Sequence, residues 1–331
     1  MDQKTPIDEP QIAALDKLIE IVLTAGPVER LTDKYFTNTR KIVAANGDID
    51  VTYAIFLIRR SIAALEPAAR LIARLVPEAE IKRFYAEVEI VPSERKLMEV
   101  SGPMSKLSEV ETLMLQKTGF PCISANNAYE MCRAVPGAAF LDMHARHGSG
   151  AEMNILAAYG ASVGSKAAKQ TDGNIKGFVG SSQDITAPLF GAEKGLGTMP
   201  HALIGYTGGD VLEATKLFAQ MIPDAPALIA LVDYRGEEIS DSLSCARWFY
   251  EEAKLDRQGK TFGVRLDTHG ARFAEGLDYD KSVETVGAWL DVDGEYNIVE
   301  RVIGQQVFQL DADNILVDRV RRILFGAGVS V

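Results

Sequence analysis

Ala138-Ala139-Phe140-Leu141-Asp142-Met143-His144-Ala145-Arg146-His147-Gly148-Ser149-Gly150 is the stretch that decides the fold. A short apolar run, strand-like in length, breaks into a basic turn and then into glycine. Residues 151–169 then take up helical spacing. Their inward stripe, Met153, Leu156, Ala157, Gly160, Val163 and Gly164, is mostly small and allows close packing. Strand, Gly-rich turn, helix is the grammar of a βα unit.

The same grammar repeats downstream. Ile175–Val179 leads through Gly180-Ser181-Ser182 to a short helix at 183–191. His201–Ile204 reads as a strand before a helix at 211–221. Ala227–Val232 precedes a helix at 240–257, and Thr261–Leu266 precedes one near 279–290. A last helix is expected at 312–324. Repeated βα units imply parallel strands with right-handed crossovers, hence an α/β fold. A barrel and a doubly wound sheet both satisfy this pattern.

Upstream of Pro136 the texture differs. Residues 10–25 have helical spacing through Ile12, Leu15, Leu18, Ile19 and Val22, and residues 50–75, rich in Ala and Arg, read as helical. Phe84–Val91 and Arg95–Val100 read as paired strands, closed by the turn Ser101-Gly102-Pro103. Helices are expected over 106–117 and 124–133. This part reads as a separate α+β layer.

Composition narrows the function. The 331 residues suffice for a sizeable core, with 47% apolar and 24% charged residues, the balance of a soluble globular protein. A net charge of −11 disfavours general nucleic-acid binding, because such a surface repels phosphate. Cys122, Cys132 and Cys245 lack CxxC spacing and read as buried reduced thiols of a cytoplasmic protein. The first residues are not a signal peptide, and no run spans a bilayer, so no membrane partner is expected.

All four histidines lie in three short segments beside Gly and near Arg or Asp: His144–Gly150, Gly195–His201 and Arg265–Gly270. Such a grouping points to one polar site at strand ends, where α/β enzymes place their chemistry. A Gly-rich turn at the start of the helix at 151–169 offers backbone N–H groups to an anion, and Arg146 can grip a carboxylate or phosphate. Arg146 can equally pair with Asp142 or Glu152, and the residues leave both readings open. Asp233 and Asp267 end apolar strands and can hold Mg²⁺ or a ribose hydroxyl, although for Asp233 a helix cap is the favoured reading. Asp210 and Glu213 fit a capping box. His144, His147, His201 and His269 lack HxxxH or HExxH spacing, which disfavours zinc. GxxxxGK[ST] is absent, and no GxGxxG follows an early strand, so a P-loop is excluded and a dinucleotide fold disfavoured.

Six segments also carry a family pattern. Leu31-Thr32-Asp33-Lys34-Tyr35 looks like T-D-x-Y. Arg95–Pro103 followed by Glu109, Glu111 and Thr112 looks like an extended G-P stretch before a Glu-rich helix. His144-Ala145-Arg146-His147 looks like F-x-x-R-R, and Gly180-Ser181-Ser182-Gln183 looks like G-T-S-N. Gly197-Thr198-Met199-Pro200-His201 looks like G-T-x-A-H, and Arg265-Leu266-Asp267-Thr268-His269-Gly270 looks like R-L-D-S-G-D. In this order they resemble the nicotinate phosphoribosyltransferase family, the type II phosphoribosyltransferases, from about residue 30 onward.

The resemblance implies an N-terminal α+β sandwich domain over 1–135 and an irregular α/β barrel catalytic domain over 136–331. It implies a homodimer or higher homo-oligomer with a shared active site. It also implies that nicotinate and phosphoribosyl pyrophosphate give nicotinate mononucleotide and pyrophosphate in NAD biosynthesis, with Mg²⁺ and with ATP hydrolysed through a phosphohistidine. On that basis His201 is the phosphorylated residue, Arg265 stabilises pyrophosphate, and Asp267 holds ribose hydroxyls or Mg²⁺. Tyr35 stacks on the pyridine ring from a partner subunit. Arg146 and His147 bind an anionic group, Ser181 and Ser182 line phosphate, and Thr198 is a further substrate-binding residue. Three departures stand out. His147 replaces an Arg, and His269-Gly270 replaces Gly-Asp. The chain also ends at Val331 before the family's last strand and Gly-rich turns, from which an incomplete chain is expected. Quinolinate phosphoribosyltransferase is the neighbouring alternative, disfavoured because an R-K-T-T-type cluster is lacking. A non-catalytic homologue binding the same ligands and a metal-dependent hydrolase are the readings from other classes.

Overall fold

A computed structural model of the chain describes residues 9–225 and 227–267. The expected helices at 279–290 and 312–324, together with His269 and Gly270, lie outside the described residues. The chain divides into two compact units, 1–196 and 197–331.

In the first unit, α1 (Glu9–Thr24) buries Leu15, Leu18, Ile19 and Val22 of the predicted stripe and leaves Ile12 half-buried. Two helices follow, α2 (Val28–Leu31) and α3 (Lys34–Asn46). Residues 50–75 are not one helix. They form β1 (Asp50–Phe56), β2 (Ser61–Ile62) and α4 (Glu66–Leu75). In β1, Val51, Tyr53 and Ile55 alternate inward, and this period of two prevails over the helical reading.

The strand reading of Phe84–Val91 is likewise corrected. β3 (Glu80–Arg83) and β4 (Ile90–Val91) are separate strands, and the chain between them is irregular, with Val88 at φ +72°. β5 runs Lys96–Pro103, so Ser101-Gly102-Pro103 is strand rather than turn, pairing with Thr52, Val51 and Asp50. The sheet is antiparallel in the order β1-β5-β3, while β2 pairs with β4. Ile55, Met98 and Val100 from this sheet pack with Ala68 and Ile72 of α4.

The helices expected at 106–117 and 124–133 are one, α5 (Met104–Ala134), with Pro121 inside it. An interior proline costs about 3 kcal/mol through the lost N–H and a carbonyl clash. The helix persists because one stripe stays buried through that point: Leu107, Val110, Met114, Thr118, Pro121, Ala125, Ala128 and Cys132. α6 (Ala151–Thr171) lies against it. A Cβ on Gly160 would meet the Pro121 carbonyl, and one on Gly164 would overlap that of Ala125. The small stripe thus sets the approach of the two helices.

Around α6 the expected βα order is present. β6 (Ala139–Asp142) pairs in parallel with β7 (Gly177–Ser181), and Asp142 stands opposite Ser181. The helix expected at 183–191 is a single 3₁₀ turn, Ala187–Phe190.

The second unit repeats the plan. His201–Ile204 is not a strand but the start of α7 (His201–Tyr206), because a four-residue apolar run carries no readable period and the extended Pro200 launches a helical turn. Next come α8 (Val211–Met221), β8 (Ala227–Leu231), α9 (Glu238–Arg247) and β9 (Thr261–Arg265). The helix expected over 240–257 stops earlier. A π turn follows at Trp248–Glu252, and Lys254 takes a left-handed conformation. Asp210 caps α8 by accepting the Glu213 N–H at 2.8 Å. β8 and β9 are parallel, with Leu231 opposite Arg265. Leu228, Ala230, Val232, Cys245, Phe249 and Phe262 form this unit's core.

The fold is therefore mixed α/β. Its described strands form four small sheets and do not close into a barrel among the described residues. Among those residues no helix is long and apolar enough to cross a membrane.

Candidate functional site

Each parallel strand pair ends in an Asp–His pair, and the predicted residues fall on these two ends. In the second unit Asp233 lies two residues beyond β8 and Asp267 two residues beyond β9. The register Leu231↔Arg265 therefore brings the two carboxylates to the same level. Asp233 is buried. Its Oδ1 accepts His201 Nε2–H at 3.1 Å, and its Oδ2 accepts the Asp267 backbone N–H at 3.1 Å. The favoured cap reading of Asp233 is thereby replaced, and the residue preceding α9 is Glu237.

A carboxylate only accepts, so the hydrogen-bond pattern puts a proton on Nε2, and in the neutral imidazole the lone pair is on Nδ1. Nδ1 faces Asp267 Oδ2 at 3.8 Å, too far for a hydrogen bond. Arg265 Nη2 donates to the same Oδ2 at 3.3 Å, and Nη1 donates to Thr198 Oγ1 at 3.0 Å. Arg265 Nε is buried and unpartnered among the described residues. Four of the predicted residues, Thr198, His201, Arg265 and Asp267, thus form one cluster. Asp233 completes it. Its sequence signal was its position at the end of the apolar run Leu228–Val232, the same offset that Asp267 has after its own strand.

In the first unit Asp142, also buried, accepts His144 Nδ1–H at 2.7 Å and the His144 backbone N–H at 3.2 Å. Its second oxygen accepts Ser181 Oγ–H at 3.1 Å. Ser181 is 2% exposed and shares its hydroxyl with Thr186 at 2.6 Å, so it braces Asp142. Ser182 donates its backbone N–H to the Asp142 carbonyl at 2.8 Å and keeps its side chain half-buried.

Arg146 and His147 lie on the exposed 3₁₀ turn His144–His147 that leads to Gly150 and α6, with Arg146 Nε–H donating to His147 Nε2 at 3.2 Å. The two carboxylates offered as partners for Arg146 pair elsewhere. Asp142 pairs with His144, and Glu152 pairs with the buried Lys117 of α5. Among the described residues neither carboxylate pairs with Arg146, whose guanidinium makes its hydrogen bond to His147. Tyr35 opens α3 at 62% exposure, against Phe36 and within 3.3 Å of Asp33 Oδ2. Among the described residues no three His, Cys, Asp or Glu side chains converge to hold a metal ion.

No family profile and no curated protein matches the chain. Solved structures do. Nicotinate-nucleotide pyrophosphorylase from Pyrococcus furiosus superposes with a TM-score of 0.57 at 22% identity, over 89% of this chain and 67% of that one. Human nicotinic acid phosphoribosyltransferase superposes with a TM-score of 0.53 at 16% identity, over 90% of this chain and 72% of that one. Both have the type II phosphoribosyltransferase architecture, and the chain shares that fold.

Proposed function

We propose that the protein is a phosphoribosyltransferase of NAD metabolism, acting on nicotinate and phosphoribosyl pyrophosphate and coupled to ATP. The observation that carries this reading is His201, held by Asp233 through Nε2 with its Nδ1 lone pair directed outward beside Asp267. That is the posture of a nucleophilic imidazole. Attack of Nδ1 on the γ-phosphorus of ATP forms the N–P bond and expels ADP. The ring gains positive charge, Asp233 meets it across the Nε2–H bond, and no proton need leave. Water later takes the phosphoryl group, breaking the N–P bond to release inorganic phosphate and restore the imidazole.

In the transfer step the pyridine nitrogen forms the bond to the ribose anomeric carbon as the bond to pyrophosphate breaks, with the electron pair leaving on pyrophosphate. Arg265, fixed by Thr198 and Asp267, would take up that charge. Arg146 and His147 would bind the substrate's carboxylate or phosphate, Ser182 would line phosphate, and Ser181 would act through Asp142. Tyr35 would stack on the pyridine of a partner subunit in a homodimer or larger assembly. Asp267 is the candidate Mg²⁺ contact. With no third acidic ligand beside it among the described residues, the ion would take its remaining oxygens from substrate phosphates and water. In this reading the pairs β6–β7 and β8–β9 are parts of an irregular α/β barrel, and the β1-β5-β3 sheet with its helices is the α+β layer.

The second reading rests on the likeness to nicotinate-nucleotide pyrophosphorylase. It takes quinolinate as substrate, without ATP. One assay separates the two. Nicotinate, phosphoribosyl pyrophosphate and Mg²⁺ are mixed with wild type or His201→Ala, with and without ATP. ATP-stimulated mononucleotide formation lost in His201→Ala supports the first reading. Turnover of quinolinate without ATP transfers the assignment to the second. Ligand binding measured by calorimetry with no turnover of either acid points to a non-catalytic homologue.

A further inference from the structure

Three consecutive residues leave β8, and each grips the segment that carries His201. Asp233 holds Nε2. Tyr234 sets its ring 6.2 Å from the imidazole, tilted by 33°, and its Oη lies 3.2 Å from where a Cβ on Gly205 would stand. Arg235 Nη2–H donates to the Gly208 carbonyl at 2.5 Å, and its guanidinium fills the place a Cβ on Gly209 would need. Gly209 has φ +91°, so that turn is shaped for the arginine as well as for the backbone.

α7 has six residues, and its N-cap Pro200 makes no side-chain cap. So short a helix does not hold itself together. It is tied at its end by Thr207 N–H to the Leu203 carbonyl at 3.2 Å and by Gly209 N–H to the Ile204 carbonyl at 2.8 Å. Arg235 closes over this same turn.

We propose that Tyr234 and Arg235 are positioning residues that lock α7, so that His201 presents Nε2 to Asp233 and keeps Nδ1 open. The consequence for catalysis rests on the proposed histidine chemistry, but the lock itself does not.

The test reads the imidazole rather than turnover. Long-range ¹H–¹⁵N spectra of the full-length protein are recorded at one fixed pH, with the His201 signals assigned by their loss in His201→Gln. Amide exchange is followed at Thr207 and Gly209. Wild type should show one tautomer, protonated at Nε2. Arg235→Ala and Tyr234→Ala should mix the two tautomers and speed exchange at Thr207 and Gly209 by roughly tenfold, the scale of one lost hydrogen bond. Arg235→Lys, which keeps one donor, should restore both. Tyr234→Leu keeps apolar bulk but removes the ring and hydroxyl, and it should mix the tautomers even if Tyr234→Ala fails to fold. An unchanged single tautomer in folded Arg235→Ala and Tyr234→Leu overturns the proposal. So does exchange that quickens equally across the whole unit and is not restored by lysine. Neither result depends on nicotinate, phosphoribosyl pyrophosphate or ATP, so failure of the lock and failure of the enzymatic assignment are distinguishable.

Discussion

The ends of the two parallel strand pairs are built alike and finished differently. In each, a buried Asp at the end of the first strand uses one oxygen to hold a histidine and the other to stitch the end of the neighbouring strand. Asp142 reaches the Ser181 hydroxyl, and Asp233 reaches the Asp267 amide. The histidines differ in origin and in face. His144 is two residues from its aspartate and offers Nδ1, leaving Nε2 outward. His201 is 32 residues from its aspartate and offers Nε2, leaving Nδ1 outward. Around His201 stand Arg265 and a second carboxylate. Beside His144 stands the Ser181 hydroxyl, already committed to Asp142. On the proposed function, the same scaffold then yields one end that does the chemistry and one that shapes an anion-binding turn.

The largest effect should separate the histidines. His201→Ala is expected to abolish ATP-stimulated mononucleotide formation, a loss of roughly 10²-fold or more. His144→Ala should keep the ATP stimulation and chiefly raise the KM for the anionic substrate through the Arg146 turn. Steady-state assays of both variants decide this. Equal loss of ATP stimulation in the two would erase the distinction.

The aspartates should reverse that order when stability is measured. Asp142→Ala orphans two donors from His144 and weakens the hold on Ser181, at a cost of about 1–3 kcal/mol in the first unit. Asp233→Asn can keep its oxygen on the Asp267 N–H and turn its Nδ2 donor to His201 Nε2, provided the imidazole proton moves to Nδ1. Its melting temperature should therefore move little, while kcat should fall because Nδ1 no longer carries a lone pair. Calorimetric melting alongside kcat is the check. A large thermal loss in Asp233→Asn with normal kcat would make the second cluster structural.

Why part of this was legible follows from range. The βα grammar of residues 138–181 and 227–265 needs only local period and glycine, and it places β6, α6, β7, β8 and β9 within a residue or two of the structure. Thr198, His201, Arg265 and Asp267 were legible for a related reason, since all sit in Gly-flanked or strand-end segments. Asp233 was misjudged because capping and imidazole-holding ask the same of a local sequence. Only the spatial partner, far along the chain, decides between them. α5 was split at Pro121 by a local rule, while the stripe from Leu107 to Cys132, set by packing against α6, ran through it. In β1 the helix-like composition of 50–75 hid an alternation whose inward face is defined by β5 and α4.

A third buried carboxylate, Glu87, holds no histidine. Glu87 accepts the backbone N–H groups of Leu65 at 2.6 Å and Glu66 at 2.9 Å, at the start of α4, and the Tyr159 hydroxyl at 2.7 Å. Burial pushes its carboxyl up to about 7, and these donors only partly offset that. A folded value above the ordinary one means that the folded chain binds the extra proton between pH 4.5 and 7. Stability contributed by this site is therefore present at the acid end of that window and lost as pH rises through it, by at most about 1.4 kcal/mol per pH unit. Glu87→Gln can keep every contact, its Oε1 accepting both amides and its Nε2 donating to Tyr159. Urea titrations at several pH values should show a slope in wild type over this window that is reduced in the variant, with the two converging at low pH. Parallel pH profiles would mean that Glu87 stays ionised in the core. The contrast among the three carboxylates would then rest on which donors surround them and not on which of them holds a proton.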